Sequence, residues 1–179
     1  MSDIIYFTSD THFGAERTRK LSKRPFQTVE EMDDFLITHW NNTVGPNDFV
    51  YHLGDFGDYE YARKLNGNIV LVGGNYEWKM TSKKAKQYGF ISFIPYTKEA
   101  TLFMDDHVIH MTHRPHDLRN RHMDDHTINL FGHLHKTQMI KRYGLNVSSD
   151  CHNFTPIGMD DILFYHDAIL HYYDNEVFE

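Results

Sequence analysis

Asp10, His12, Asp55, Asn75, His113, His133 and His135 are the side chains of this sequence whose types and spacing could do chemistry. Each closely follows a short apolar run, at residues 4–8, 49–53, 69–72, 108–111 and 128–131. Ligands in open α/β sheets gather at the carboxyl ends of the strands. Strands sharing that edge would bring all seven side chains to one place. The set offers two carboxylates, one amide oxygen, four imidazoles and no thiolate. Mixed nitrogen and oxygen donors suit manganese, iron, nickel, cobalt or zinc, and disfavour calcium or an iron–sulfur cluster. Seven donors are too many for one tetrahedral site and suit two ions about 4 Å apart that share a carboxylate.

The elements that must position them are legible from periodicity. Residues 4–8, 49–53 and 68–72 are apolar without polar alternation, as in strands buried on both faces. Gly54 lets the chain turn sharply just before Asp55. Thr28 with Glu31 has the capping-box spacing, and Val29, Met32, Phe35, Leu36 and Trp40 follow at helical intervals as a core stripe, stopped by Gly45-Pro46. Shorter helices are expected over 58–65, 80–87 and 159–166. Residues 96–104 and 107–111 read as a hairpin around Asp105-Asp106. Short strands are expected at 128–131, 138–141 and 145–149, and 168–173 is a last strand or a continuation of the preceding helix. Residues 113–126 form a polar loop long enough to carry function. Nothing repeats internally, and no linker divides the chain, so 1–179 reads as one domain.

Composition narrows the function classes. A net charge of −7 argues against long nucleic acid as a partner, though not against a local basic pocket. Arg17, Arg19, Lys20, Lys23 and Arg24 crowd one stretch, either as a solvated loop or as a cationic wall for an anionic substrate. Of the 14 histidines, His39, His107, His126, His166 and His171 read as surface residues. Cys151 is the single cysteine; this fits a reducing cytoplasm and suits a small buried residue better than a nucleophile. Met1-Ser2-Asp3 leads straight into a strand with no signal-peptide pattern, and no apolar run approaches the roughly 20 residues that span a bilayer. The oligomeric state is not written in any of these features.

The ordered set Asp10-Thr11-His12, Gly54-Asp55, Gly74-Asn75, His113 and Gly132-His133-Leu134-His135 resembles the calcineurin-like metallophosphoesterase superfamily, and its phrasing resembles a compact bacterial and phage subgroup. The resemblance covers residues 4 to about 150. It implies an α/β fold, a four-layer α/β/β/α sandwich of two mixed sheets flanked by helices, with two divalent metal ions at the sheet edge. It implies Asp10, His12, Asp55 and His135 around one ion and Asp55, Asn75, His113 and His133 around the other, Asp55 bridging. Manganese is favoured, with iron, nickel, zinc or cobalt as alternatives.

The sequence departs from that family at Tyr76, where the family carries the histidine of a Gly-Asn-His motif. Two ions would lower the pKa of a bridging water, and the resulting hydroxide would attack phosphorus without a protein nucleophile. Help for the leaving group is then open: Tyr76 with Glu77 orienting it, His116 in the polar loop, His52 beside Asp55, or a leaving group that needs none. His52 reads more simply as a core residue. The expected substrate is a small phosphodiester such as a nucleotide, with Arg17 and Arg114, and also Arg119 and Arg121, available to its negative charge. The alternatives are a phosphomonoesterase of the same fold and a non-catalytic metal-binding scaffold for other proteins. A purely structural metal site is weaker, because closed structural zinc sites favour cysteine.

Overall fold

The computed structural model describes residues 3–178. Met1, Ser2 and Glu179, the ends of the expected domain, lie outside the described residues. Two five-stranded mixed sheets carry the fold. In the first, β1 (Ile5–Thr8), β2 (Phe49–His52), β3 (Asn68–Val72) and β4 (Ser92–Ile94) run parallel, and β10 (Ile157–Gly158) pairs antiparallel with β1. In the second, β6 (His107–Met111), β7 (Thr127–Phe131) and β9 (Gly144–Asn146) run parallel between antiparallel edge strands β5 (Ala100–Met104) and β8 (Ile140–Lys141).

Both faces of the first sheet are covered, which explains its unalternated apolar sequence. Val50, Ile69 and Leu71 face α2 (Val29–Thr43) and α3 (Ser82–Tyr88), packing with Met32, Leu36, Trp40 and Ala85. Phe7, Leu53 and Val72 belong to a second core with Ile109, Met111, Ile128 and Leu130 of the other sheet. The helices start as the sequence prescribes. Thr28 accepts from the Glu31 amide, while Glu31 accepts in turn from the Gln27 amide. Burying Met32, Leu36 and Trp40 contributes about 1.5–3 kcal/mol per side chain. The second sheet has a thinner helical cover: α4 (Met159–Asp167) packs against β9 and also reaches β10 of the first sheet.

Several elements differ from expectation. The basic stretch after Gly14 is not a loop throughout: α1 spans Glu16–Leu21, with Arg19 and Lys20 both bonded to Glu16. Strands β4 and β10 are too short to declare themselves and exist through their pairing. Residues 168–173 continue α4 as a π-helical turn over Ala168–Tyr172 rather than forming a strand. His166 is buried, its Nε2–H donating to the Asp124 carbonyl. Among the described residues no helix is long and apolar enough to cross a membrane.

Candidate metal centre

Six parallel strands, three per sheet, end at the same edge. Asp10 and His12 follow β1, Asp55 follows β2, Asn75 follows β3, His113 follows β6, and His133 and His135 follow β7. Asp150 follows β9. The two edges are joined by a parallel bridge between Ser9 and Ser148, and the His133 amide donates to Asp10 Oδ2 at 2.9 Å. Asp10, His12, Asp55, His133 and His135 all adopt left-handed backbone, with φ between 47° and 72°. Such conformations cost about 1 kcal/mol or more each and persist where the surroundings over-determine them. The loops also approach too closely for a side chain at Gly74: a Cβ there would stand 2.6 Å from both the amide nitrogen and Oδ1 of Asp55.

Two groups of donors result, Asp10 with His12 and His135, and Asp55 with His113 and His133; within each, one ligand atom per residue lies within 4.8 Å of the others. Asp55 stands between them, its Oδ2 3.6 Å from His12 Nε2 and 3.5 Å from His113 Nε2. Asp10 Oδ1, His12 Nε2 and His113 Nε2 are buried without any hydrogen-bond partner. Unpartnered buried polar atoms are costly and rare, and here they aim at common points at spacings suited to the edges of a coordination shell. The donor set therefore fits two divalent ions on the grounds of chemistry and geometry together.

Asn75 presents its amide nitrogen to Asp55 and His133, while its Oδ1 accepts from Arg114 at 2.7 and 3.0 Å. Offering oxygen to an ion would require this amide to turn over and part from Arg114.

Charge is distributed unevenly across the groups. Burial opposes charge on His113, but Asp55 and Asp10 outweigh it and raise the imidazole to about 9. Burial dominates at His12 and lowers it to about 4. Burial likewise works against the Asp55 carboxylate, yet its His113 partner holds it at about 2.

Outer contacts fix the donors. His113 Nδ1–H donates to the Leu53 carbonyl at 2.8 Å, directing Nε2 inward. His135 Nδ1–H donates to Asp150 Oδ2 at 2.7 Å, and Asp150 is gripped by Arg24 through Nε and Nη2. Arg24 also donates to the carbonyls of Asp10 and Thr11. The Arg24 and Asp150 side chains are 0% and 1% exposed. Arg24 is therefore a buried strut rather than part of a cationic wall. Glu77 does not orient the Tyr76 phenol; its carboxylate accepts the amides of Asp55, Phe56 and Gly74 and holds two strand ends together. The sequence places Arg24 only within its basic stretch, without its buried role, and Asp150 was missed. The signal for Asp150 was present, an acidic residue directly after the expected strand 145–149.

A cavity of about 790 Å³ opens over His12, Asp55, Asn75, His133 and His135, with Arg17 and Tyr76 in its walls. Tyr76 is 49% exposed and its ring meets His12 edge-on at 5.0 Å. His116 lies outside this cavity, exposed beside Asp117. His52 is fully buried, bonded to the Thr11 hydroxyl at 2.9 Å, and pushed down to about 3 by burial. Cys151 donates to the His135 carbonyl and is pushed up to about 12 by burial and by Asp150.

The model of the calcineurin-like phosphoesterase superfamily domain matches residues 4–149. An uncharacterized protein of Methanocaldococcus jannaschii is 34% identical over 171 residues, covering 89% of each chain. A crystal structure of a protein of unknown function from Aquifex aeolicus aligns with a TM-score of 0.67 and 22% identity, over 90% of this chain and 98% of that one. The phosphoesterase Yfce from E. coli aligns with a TM-score of 0.42 and 16% identity, over 80% of this chain and 77% of that one.

Proposed function

The chain belongs to the calcineurin-like phosphoesterase superfamily, and we propose from that premise that it is a two-metal phosphodiesterase acting on a nucleotide or another small phosphodiester. The observation that carries the reading is the convergence of unpartnered Asp10 Oδ1, His12 Nε2 and His113 Nε2 around Asp55, which with His12 lines an open cavity. Asp10, His12, Asp55 and His135 would hold one ion and Asp55, Asn75, His113 and His133 the other, with manganese favoured. Bound there, the ions would supply Lewis acidity and an activated water.

The chain's own groups do the rest. Arg17 in the cavity wall and Arg114, bonded to Asn75 Oδ1, attract the phosphate and orient it. The Tyr76 phenol, beside His12, donates a hydrogen bond to the leaving oxygen without delivering a full proton, because a phenol is a poorer proton donor than the imidazolium it replaces. His116, outside the cavity, has no part. The single domain 1–179 works in a reducing cytoplasm, consistent with its one cysteine.

The test is hydrolysis of bis(p-nitrophenyl) phosphate and p-nitrophenyl phosphate by metal-stripped protein after adding manganese, nickel or zinc. Metal-restored turnover that favours the diester, is lost at least 100-fold in Asp55→Asn and is unchanged in His116→Ala is expected. Preference for the monoester overturns the diester assignment. Metal binding with turnover only in Tyr76→His overturns the hydrolase reading in favour of a scaffold.

A further inference from the structure

The cavity extends well beyond the metal-facing residues. One wall is α1 and the turn after it, with Arg17, Leu21 and Lys23; the opposite wall is the turn after β7, with Leu134 and Lys136. The two walls are tied, because Lys136 Nζ donates to the Lys23 carbonyl at 3.2 Å. Asp55, on the floor, is the one acidic residue among those lining the cavity.

The charges of this segment are sorted. Arg19 and Lys20 are spent on Glu16, and Arg24 on Asp150. Among the described residues, Arg17, Lys23 and Lys136 have no carboxylate partner, and all three line the cavity. A chain of net charge −7 thus leaves three unpaired cations facing one space. Lys23 reaches its place through left-handed backbone, φ 49°, which turns the chain after α1. Such strain in a non-glycine residue gathers where a group must be held in position. Leu21, 70% exposed, adds apolar surface beside these cations. The space lies within the range of small-ligand pockets, roughly 300–1,000 Å³, and exceeds what one phosphoryl group needs.

We propose that Lys23 and Lys136, with Arg17, form an anion subsite for a second phosphate of an organic polyphosphate whose reacting phosphoryl group faces Asp55. This deepens and rests on the phosphoester reading above. The apolar body of the ligand lies along Leu21 and Leu134. A monophosphate leaves the subsite unfilled, so discrimination between one phosphate and two is the function of this wall.

The test is calorimetric binding of adenosine 5′-monophosphate and α,β-methylene-ADP, with manganese in excess over protein and nucleotide. Wild-type protein is expected to bind the methylene diphosphate at least tenfold more tightly than the monophosphate. In the Lys23→Asn, Lys136→Gln double variant that margin falls below threefold. Asparagine is chosen because it tolerates left-handed backbone, and thermal unfolding of the variant checks that the wall is intact. A Lys136→Gln single variant, which leaves the turn at Lys23 untouched, is expected to lose part of the margin. Absence of the margin in wild type, or its persistence in the double variant, overturns the subsite. The hydrolase reading is judged separately by bis(p-nitrophenyl) phosphate turnover, which this comparison does not use.

Discussion

Replacing Asp150 with asparagine tests the buried strut behind His135. The carboxylate accepts three hydrogen bonds, two from Arg24 at 2.7 and 3.0 Å and one from His135 at 2.7 Å, with its side chain 1% exposed. Against the pull of burial, His135 and Arg24 hold its carboxyl from an ordinary 3.8 down to about 2. That depression corresponds to roughly 2–3 kcal/mol of favourable interaction at neutral pH. Breaking a buried pair while leaving its cation behind costs about 3–5 kcal/mol. The two routes meet near 3 kcal/mol, or about 6–12 °C in Tm for a chain of this size. The assay is urea unfolding of wild type and Asp150→Asn in chelator, repeated between pH 7 and pH 3. Because the folded pKa is depressed, the stabilisation is fully present above 3.8 and is lost as pH falls through about 2. The gap between the two proteins must therefore hold near neutrality and begin to narrow below about pH 4. The double variant Arg24→Met, Asp150→Leu removes both charges and is expected to lose less than Asp150→Asn. A loss under about 1 kcal/mol at pH 7, or a gap indifferent to acid, refutes the reasoning.

Glu77→Ala strands the buried amides of Asp55, Phe56 and Gly74; at about 1–3 kcal/mol per orphaned group, it is expected to cost at least 3 kcal/mol in urea and to lower bound manganese measured by elemental analysis. Manganese uptake by metal-stripped protein should release at least one proton at pH 7, because His113, raised to about 9, is protonated there and must give up that proton to ligate, and His135, raised by Asp150 and Asp10, adds to the release. Calorimetry in buffers of differing ionisation enthalpy reads this directly, and affinity should climb with pH until about 9; no proton release would contradict the charge assignment.

The parts legible in sequence share one physical property: their burial is strong and local. β1, β2 and β3 are covered on both faces, so their apolar runs stand out, and the metal-facing residues sit just past them. The helix begun by Thr28 was fixed by a cap and a stripe lying within a few turns of each other. What escaped was held by distant partners. Arg24 is indistinguishable from its basic neighbours in sequence, because what buries it is Asp150, 126 residues away. Glu77 beside Tyr76 suggested a side-chain pair, whereas its carboxylate satisfies main-chain amides of another strand end. His166 carries no local sign of burial; it becomes a core residue by meeting the Asp124 carbonyl. β10 has only two residues and derives its identity from the strand beside it.

The left-handed turns at Asp10, His12, Asp55, His133 and His135 also govern how this centre can change over evolutionary time. Apart from glycine, the residues that enter that conformation most readily are asparagine, aspartate and histidine. Those are the same residues that bind divalent ions. Drift at these positions is therefore channelled: β-branched and bulky apolar replacements are penalised by the backbone before any loss of catalysis is felt, while exchanges among aspartate, asparagine, histidine and glycine pass the backbone filter. A lineage relieved of selection for turnover would shed charge at Asp55 or Asp10 in single steps and still fold, keeping a row of ligand-like side chains as a relic of the turn geometry.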